Sequence, residues 1–286
     1  MRRPTALFSS DLHGSPARYQ ALFEAIEREE PVMVLLAGDV LESGLASLAG
    51  APSVLEAVIA PELRRLRARM GARFPPVCLI PGNDDGLFEE ESFLAAEEEG
   101  LLLYLPCRRA DVAGWPVYGY PYIPPSPFRL KHWERYDVSR YVDPGCTPPE
   151  EDFPGLASGF CSDVRHPTIA ADLEKLTGDD DLSRAIFLFH APPYETRLDR
   201  ADLDGKKIDH CPLDVHIGSI AIRRFIEERQ PLLSLHGHVH ESARLTGSWR
   251  QQLGRTWAVT GAHDGPELAL VRIPLDDPGS AERELI

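Results

Sequence analysis

Two histidines that follow an apolar run are the residues of this sequence best suited to chemistry. The run Pro231–Leu235 predicts a buried strand, and His-Gly-His-Val-His follows at positions 236–240. In an extended chain His238 and His240 point to the same side, and Gly237 lets the backbone turn away at the end of the strand. Two neutral imidazoles placed in this way suit a transition metal, although packed or solvated histidines show the same pattern.

Polar side chains also follow the other apolar runs of the chain. Taken singly, Asp11 is better explained as a turn carboxylate and His190 as a packed histidine. Together, seven nitrogen or oxygen donors stand at or just past predicted strand ends: Asp11, His13, Asp39, Asn83, His190, His238 and His240. Open α/β sheets place their sites at such ends, so we expect the seven to converge. Carboxylate, amide and imidazole donors fit Mn, Fe, Co or Zn, and seven donors are about right for two ions that share a ligand.

The elements that position these donors alternate between strand and helix in the first hundred residues. Strands are predicted over residues 5–10, 31–37 and 75–80, and helices from Ser15-Pro16, over about 61–70 and over about 87–99. The later pattern is antiparallel or mixed. It predicts strands at 101–105, 115–120, 184–189, 231–235, 256–260 and 267–273, and a helix at 220–228 that is capped by Ser219.

The composition indicates an ordinary globular protein. Its 286 residues are 43% hydrophobic and 26% charged, and we expect one domain over 1–286. No apolar run is long enough to span a bilayer, and the first residues lead directly into a strand, so we expect a cytoplasmic protein without a membrane partner. The five widely spaced cysteines are predicted to be reduced. A net charge of −15 disfavours nucleic acid as a standing partner, but it does not exclude small phosphate esters.

A Pro-rich stretch over about 122–166 has no clear period. Such a long irregular segment in a compact domain indicates a functional excursion or an element that the sequence conceals. The stretch carries a local basic and aromatic cluster in an acidic protein: Arg129, Lys131, His132, Trp133, Arg135 and Tyr136. The cluster is predicted either to cover the site as a substrate lid, with phosphate contacts from its basic side chains, or to be an ordinary surface loop.

The order D-x-H, G-D, G-N-x-D, H and G-H-x-H resembles the calcineurin-like metallophosphoesterase superfamily, over residues 5 to about 260. The resemblance implies an α/β fold, namely a four-layer α/β/β/α sandwich with two mixed β-sheets and a dimetal site at their edge. It implies two ligand sets that share Asp39 as a bridge. Asp11, His13, Asp39 and His240 would hold one metal, and Asp39, Asn83, His190 and His238 the other.

The resemblance also implies an activity. We expect a dimetal-dependent hydrolase of phosphate esters that uses a metal-bridging hydroxide as nucleophile, with two divalent ions (Mn, Fe or Zn) as cofactors. The substrate would be a small phosphate ester or nucleotide, either a phosphodiester or an activated phosphomonoester. Asn83, Asp84 and His238 are the predicted catalytic residues. The alternative is a non-catalytic interaction protein that retains the fold, although an intact ligand set favours the enzyme.

One motif departs from the family pattern. The family commonly has histidine after the G-N pair, as a candidate to assist the leaving group, whereas this sequence has Asp84. The charge of two metals would lower the pKa of Asp84, so it would be ionised and unable to donate a proton at neutral pH. His236 and His263 are candidate substitutes, although structural roles are the better explanation for both. The sequence therefore predicts a preference for esters with acidic leaving groups.

Overall fold

Two six-stranded mixed sheets lie face to face in this protein. The computed structural model describes residues 3–44, 53–151 and 167–286. The first sheet has the order β14-β13-β1-β2-β3-β4, with β1 to β4 parallel and β13 and β14 antiparallel. Its strands are β1 (Thr5–Ser9), β2 (Met33–Ala37), β3 (Val77–Ile80), β4 (Leu103–Tyr104), β13 (Ala269–Pro274) and β14 (Glu282–Leu285).

The second sheet has the order β11-β12-β10-β7-β6-β5, in which the four central strands are parallel and both edge strands are antiparallel. Its strands are β5 (Arg108–Val112), β6 (Trp115–Tyr120), β7 (Ile186–Phe189), β10 (Leu233–His236), β11 (Arg250–Leu253) and β12 (Thr256–Thr260). A separate two-stranded ribbon, β8 (Lys207–Ile208) and β9 (Cys211–Pro212), lies in the loop after β7.

Helices cover the outer face of each sheet. In the described ranges the α-helices are α1 (Pro16–Glu29), α2 (Ala60–Met70), α3 (Glu90–Glu98), α4 (Ile169–Thr177), α5 (Ile220–Arg229) and the short α6 (Ser242–Thr246). Residues of the first sheet such as Leu7 and Leu36 share a core with α1, α2 and α3, whereas Phe8 and Leu35 pack into the core between the sheets. Phe187 and Phe189 face outward to α4 and α5. The predicted four-layer α/β/β/α sandwich is therefore confirmed.

The central strands are continuously apolar because both of their faces are buried. All five residues of β2 are buried, as are all four of β3, β7 and β10. The predicted helix starts are also found, since the Ser15 hydroxyl accepts from the Arg18 N–H and the Ser219 hydroxyl from the Ile222 N–H. Where the chain is described, no helix is both long and apolar enough to cross a membrane. Cys78, Cys146 and Cys211 are free thiols.

Several elements differ from the sequence prediction. The edge strands β5, β11 and β14 were not predicted, because they consist largely of charged or polar residues and lack the apolar runs of the central strands. Helix α4 was not predicted either. The predicted strand at 101–105 is shortened to β4. The predicted helix at 87–99 begins as a 3₁₀ turn, Leu87–Glu89, before α3. Within 122–151 only isolated bridges form, as at Ile123 and Glu134, and 152–166 lie outside the described residues.

Candidate metal centre

All seven predicted donors lie just beyond the carboxyl ends of central strands, at the edge where the two sheets meet. The first sheet supplies four of them and the second sheet supplies three. The donors after β1, β2 and β3 are Asp11, His13, Asp39 and Asn83, and those after β7 and β10 are His190, His238 and His240. The parallel strand order brings them together, because neighbouring parallel strands end at the same edge.

Four of these side chains form a first set. The His240 Nε2 atom lies 3.1 Å from His13 Nε2 and 3.2 Å from Asp11 Oδ1. The His13 Nε2 atom lies 3.9 Å from Asp39 Oδ2. One ligand atom from each of the four residues can be chosen so that all four atoms lie within 4.8 Å of one another. This set has the composition and spacing of a metal site.

A second set converges on the Asn83 side-chain oxygen. This atom accepts from His238 Nδ1 at 2.7 Å and from His190 Nε2 at 3.0 Å. The His190 Nε2 atom also lies 3.3 Å from Asp39 Oδ2, the same oxygen that faces His13 in the first set. One oxygen of Asp39 is therefore near imidazoles of both sets, which is the position that a bridging carboxylate requires.

The donor sets fit first-row divalent ions. Two imidazole nitrogens face each other at 3.1 Å in the first set, so at least one of them is not protonated and has a lone pair available. Ligand atoms around an ion with bonds of about 2.0–2.2 Å lie roughly 3 Å apart. The shortest distances are 3.1 and 3.2 Å in the first set and 2.7 and 3.0 Å in the second. Nitrogen and oxygen donors without thiolates match Mn, Fe or Zn.

The electrostatics of the site depend on its carboxylates. Burial alone would raise the pKa values of Asp11 and Asp39, but the neighbouring histidines outweigh it and lower both. Burial works to lower the pKa of His190, but the charge of Asp39 and a hydrogen bond to it raise it to about 10. Burial and the positive charge of His190 lower the pKa of His238 to about 3. The buried carboxylates of Asp11 and Asp39 therefore favour a positive charge between the two sets, where His190 lies.

Hydrogen bonds fix the orientation of the candidate ligands. The Asp11 carboxylate accepts from the Ser10 hydroxyl at 2.5 Å and from the His238 backbone N–H at 2.9 Å. The Asp39 carboxylate accepts from the Asp84 N–H at 2.8 Å. His190 donates from Nδ1 to the Ala37 carbonyl, which directs its Nε2 atom toward the site.

The backbone is unusual at the same positions. Asp11, His13, Asp39 and His238 have φ values of 56°, 47°, 49° and 74°, in the left-handed region that costs energy for residues other than glycine. Glycine is required where the strand ends approach each other. A Cβ atom at Gly82 would overlap the Asp39 carboxylate, and one at Gly38 would overlap the His190 ring.

Asp85 organises the loops of the site, a role that the sequence reading did not identify. Its fully buried carboxylate accepts from the backbone N–H groups of Val40, Leu41 and Gly82 at 2.8–3.1 Å. Burial and the charge of Asp39 raise its pKa to about 8, against the effect of these donors. The sequence signal for this role is the second aspartate of the Asn-Asp-Asp motif, because a carboxylate in a turn after a strand often accepts hydrogen bonds from backbone N–H groups.

The Asp84 carboxylate lies beside the first set of candidate ligands, next to the His13 ring. Its Oδ2 atom is 3.6 Å from His13 Nδ1, which is contact range but too long for a hydrogen bond. In the protein alone, burial and the charge of Asp39 raise its pKa, opposite to the lowering predicted from the sequence. The two directions differ because the sequence-based prediction assumes the positive charge of two bound ions, which would lower the pKa of Asp84, whereas the raised pKa is that of the protein without ions.

The two candidate substitute histidines have protein partners. His236 is fully buried, donates from Nδ1 to the Ala191 carbonyl and accepts from the Ser234 hydroxyl, and burial lowers its pKa to about 3. It is a structural histidine. His263 Nε2 lies 3.1 Å from the Glu267 carboxylate, and the His263 side chain is largely covered.

The basic cluster of the Pro-rich stretch is mostly structural in the part that is described. Lys131 pairs with Glu134 at 2.8 Å, and both side chains are buried. His132 accepts from the Leu87 N–H, and Arg135 pairs with Asp172. Of the four basic side chains predicted to contact phosphate, only Arg129 is exposed to solvent. The stretch nevertheless reaches the metal centre through Phe128, whose ring lies edge-on to that of His238 at 6.3 Å.

The fold is similar to that of known structures with low sequence identity. One is the protein TT1561 of Thermus thermophilus, with 16% identity, a TM-score of 0.57 and coverage of 99% of both chains. Another is a dimetal phosphatase from Danio rerio, with 13% identity, a TM-score of 0.53 and coverage of 95% of this chain and 92% of that one. A search of curated protein sequences gave no significant match.

The sequence profile of the calcineurin-like phosphoesterases matches residues 4–242. This range includes both sets of candidate ligands, from Asp11 to His240. It also covers most of the elements that position them, from β1 to β10. The chain belongs to the calcineurin-like phosphoesterase family.

Proposed function

We propose that this protein is a dimetal-dependent hydrolase of phosphodiesters or of activated phosphomonoesters. The observation that supports this most strongly is the shared Asp39 carboxylate, one oxygen of which faces His13 at 3.9 Å and His190 at 3.3 Å. Asp11, His13, Asp39 and His240 would hold one ion, and Asp39, Asn83, His190 and His238 the other. Two divalent ions of this kind supply an activated water and neutralise the phosphoryl oxygens during in-line attack.

The residues of the chain contribute orientation and charge to this chemistry. Asp11 and Asp39 are the two anionic groups of the donor sets. They would neutralise only half of the charge of two divalent ions, which would leave an attractive field for phosphate. The His238 N–H and the Ser10 hydroxyl keep the Asp11 carboxylate in place. Asp84 faces the outer nitrogen of the His13 ring and would orient it, as carboxylates beside metal-bound histidines do.

The test is metal content followed by a hydrolysis panel. After loading with Mn or Zn and removal of excess metal, elemental analysis should find about two ions per chain. The loaded protein should then hydrolyse p-nitrophenyl phosphate or bis(p-nitrophenyl) phosphate, and a chelator should abolish that activity. Fewer than one ion per chain would contradict the dimetal site. Two bound ions without hydrolysis of any ester, cyclic nucleotide or pyrophosphate would favour a non-catalytic role.

A further inference from the structure

A cleft of about 560 Å³ opens beside the metal centre, and His238 forms part of its wall. Residues from 124–146 form one side and residues from 194–220 form the other. Phe128 also lines the cleft, with its ring edge-on to that of His238. The cleft therefore borders the candidate metal centre at His238, and its volume is that of a typical pocket for a small organic molecule.

The wall of the cleft concentrates exposed apolar side chains. Within the described ranges nine large apolar side chains are exposed, and four of them line this cleft. Their exposed fractions are 48% for Phe128, 67% for Tyr141, 40% for Ile208 and 37% for Ile217. Such a grouping indicates a binding surface, because isolated exposed apolar residues need no explanation but a cluster of them does.

The carboxylates of the wall make it unfavourable for anions. Asp137, Asp143, Asp214 and Glu241 line the cleft, and the described lining includes no lysine or arginine. Two of these acids are fixed in place: Asp137 accepts from the Ile220 N–H at 2.7 Å, and Asp214 accepts from the Tyr194 hydroxyl at 2.6 Å. A second phosphate or a carboxylate of a substrate would be repelled there, while the metal centre attracts the first phosphate.

We propose that this cleft binds the organic part of the phosphate ester and selects a predominantly apolar group without negative charge, such as an aryl ring or an alkyl chain. The phosphoryl group would lie at the metal centre, and the apolar group would pass Phe128 into the space lined by Tyr141, Ile208 and Ile217. This inference rests on the proposed function, since it requires the phosphoryl group to lie beside His238.

Alkylphosphonates test the inference without turnover, because they cannot be hydrolysed. Metal-loaded protein is titrated with methyl-, butyl- and hexylphosphonate by isothermal calorimetry. Each added methylene that enters the cleft should raise the affinity by about two- to fourfold, since burial of one methylene group is worth that much. Equal affinity for the three compounds would overturn the inference.

A matched pair of variants locates the effect. Ile208 in the cleft and Leu94 on α3 are both 40% exposed, and only Ile208 lines the cleft. Ile208→Ala should weaken hexylphosphonate binding by roughly three- to tenfold and leave methylphosphonate binding unchanged. Leu94→Ala should change neither. An equal loss of hexylphosphonate affinity in both variants, or in neither, would show that the alkyl chain lies elsewhere.

Charged analogues test the acidic wall. 5-Carboxypentylphosphonate should bind at least about fivefold more weakly than hexylphosphonate, and Asp143→Asn should reduce that difference. Binding of 5-carboxypentylphosphonate as tight as that of hexylphosphonate would overturn the exclusion of anionic groups. If methylphosphonate binds and p-nitrophenyl phosphate is hydrolysed without any effect of chain length, only this inference fails. If neither binding nor hydrolysis is observed, the proposed function fails and the inference fails with it.

Discussion

The strand ends at the sheet edge and the neighbouring segment 122–151 are both rich in polar side chains, but their partners differ. In the segment, the buried basic side chains meet complementary groups: Lys131 meets Glu134, and Arg135 meets Asp172. At the strand ends, the imidazoles of His13 and His240 face each other, so nitrogen lies against nitrogen.

This difference separates residues that stabilise a fold from residues that would hold metal ions under the proposed function. A buried charge is normally held by an opposite charge or by hydrogen bonds, because an unpaired one is costly. The segment follows this rule, because Lys131 pairs with Glu134 within it and Arg135 pairs with Asp172 on α4. The strand ends follow it only in part, since the left-handed backbone at Asp11 and Asp39 and the crowded ring nitrogens cost stability that a bound ion would offset. We therefore expect substitutions at the strand ends to reduce metal binding and activity, and substitutions in the segment to reduce stability.

The largest effect on activity should follow from Asp39→Asn. Loss of the shared carboxylate should release both ions together, and hydrolysis should fall by at least about 10⁴-fold, because each ion contributes several kcal/mol to the transition state. Elemental analysis and kcat/KM for an aryl phosphate measure the two effects. Asp204→Asn is the control, since this carboxylate is 67% exposed and pairs with Arg200 at the surface. Retention of one full ion by the Asp39 variant would mean that this residue does not bridge.

Lys131→Met should affect stability instead. It leaves the Glu134 carboxylate buried without its partner, so the free energy of unfolding should fall by about 3–5 kcal/mol. Urea denaturation measures this value, and the metal content of the folded variant should not change. Arg109→Met is the matched control: it breaks the exposed pair with Asp111, which is worth about 0–1 kcal/mol. Loss of metal from folded Lys131→Met protein would show that the two regions are not separate.

The same buried pair predicts a pH dependence of stability. Burial, opposed by Lys131, raises the pKa of Glu134 from 4.5 to about 7. Between these values the folded protein binds the proton of Glu134 more tightly than the unfolded chain does. The contribution of Glu134 to stability is therefore greatest below this window and falls as the pH rises through it, by up to about 3 kcal/mol. In Glu134→Gln this component should disappear. An unchanged slope of unfolding free energy against pH from 4.5 to 7 would assign the dependence to other groups.

Gly82→Ala tests the strand ends without removing a ligand. The added Cβ atom would overlap Asp39, so this carboxylate must move, and metal affinity should fall by roughly 10- to 100-fold, as it does when the support of a ligand is disturbed. Gly247→Ala is the control because a Cβ atom there meets open space, although its φ of 68° will lower stability somewhat. Competition with a chelator measures the affinity. Equal affinity in both variants would show that the approach of the strands is not critical.

The smallest effect should come from Asp84→His. A histidine at this position can supply a proton to the leaving group, so turnover of alkyl esters should rise by about tenfold relative to aryl esters. This expected gain is smaller than the roughly 10²-fold that a well-placed general acid contributes. The ratio of kcat for ethyl and p-nitrophenyl phosphate measures this change. An equal change for both esters would show that another group assists the leaving group.

Sequence reasoning predicted the convergence of the candidate donors better than it predicted the contacts of the segment beside them. Asp11, Asp39 and His238 were located because buried parallel strands give continuous apolar runs and their ends are where sites form. The roles of Lys131 and Arg135 were not, since their partners Glu134 and Asp172 become recognisable only when the chain has folded. The cleft was also missed, because its wall combines residues such as Phe128, Ile208 and Ile217 from loops that share no sequence pattern.

The division of the candidate ligands between the two sheets has a consequence for the topology of the chain. Asp11 and His240 approach within 3.2 Å although they are 229 residues apart, so an ion held between them would close a loop that contains most of the protein. Unfolding separates these two donors, so an ion that binds only the folded chain would stabilise it by mass action. Metal loading would thus act as a reversible link between the first and last strands of the site, and the free energy of unfolding would rise with the concentration of free metal.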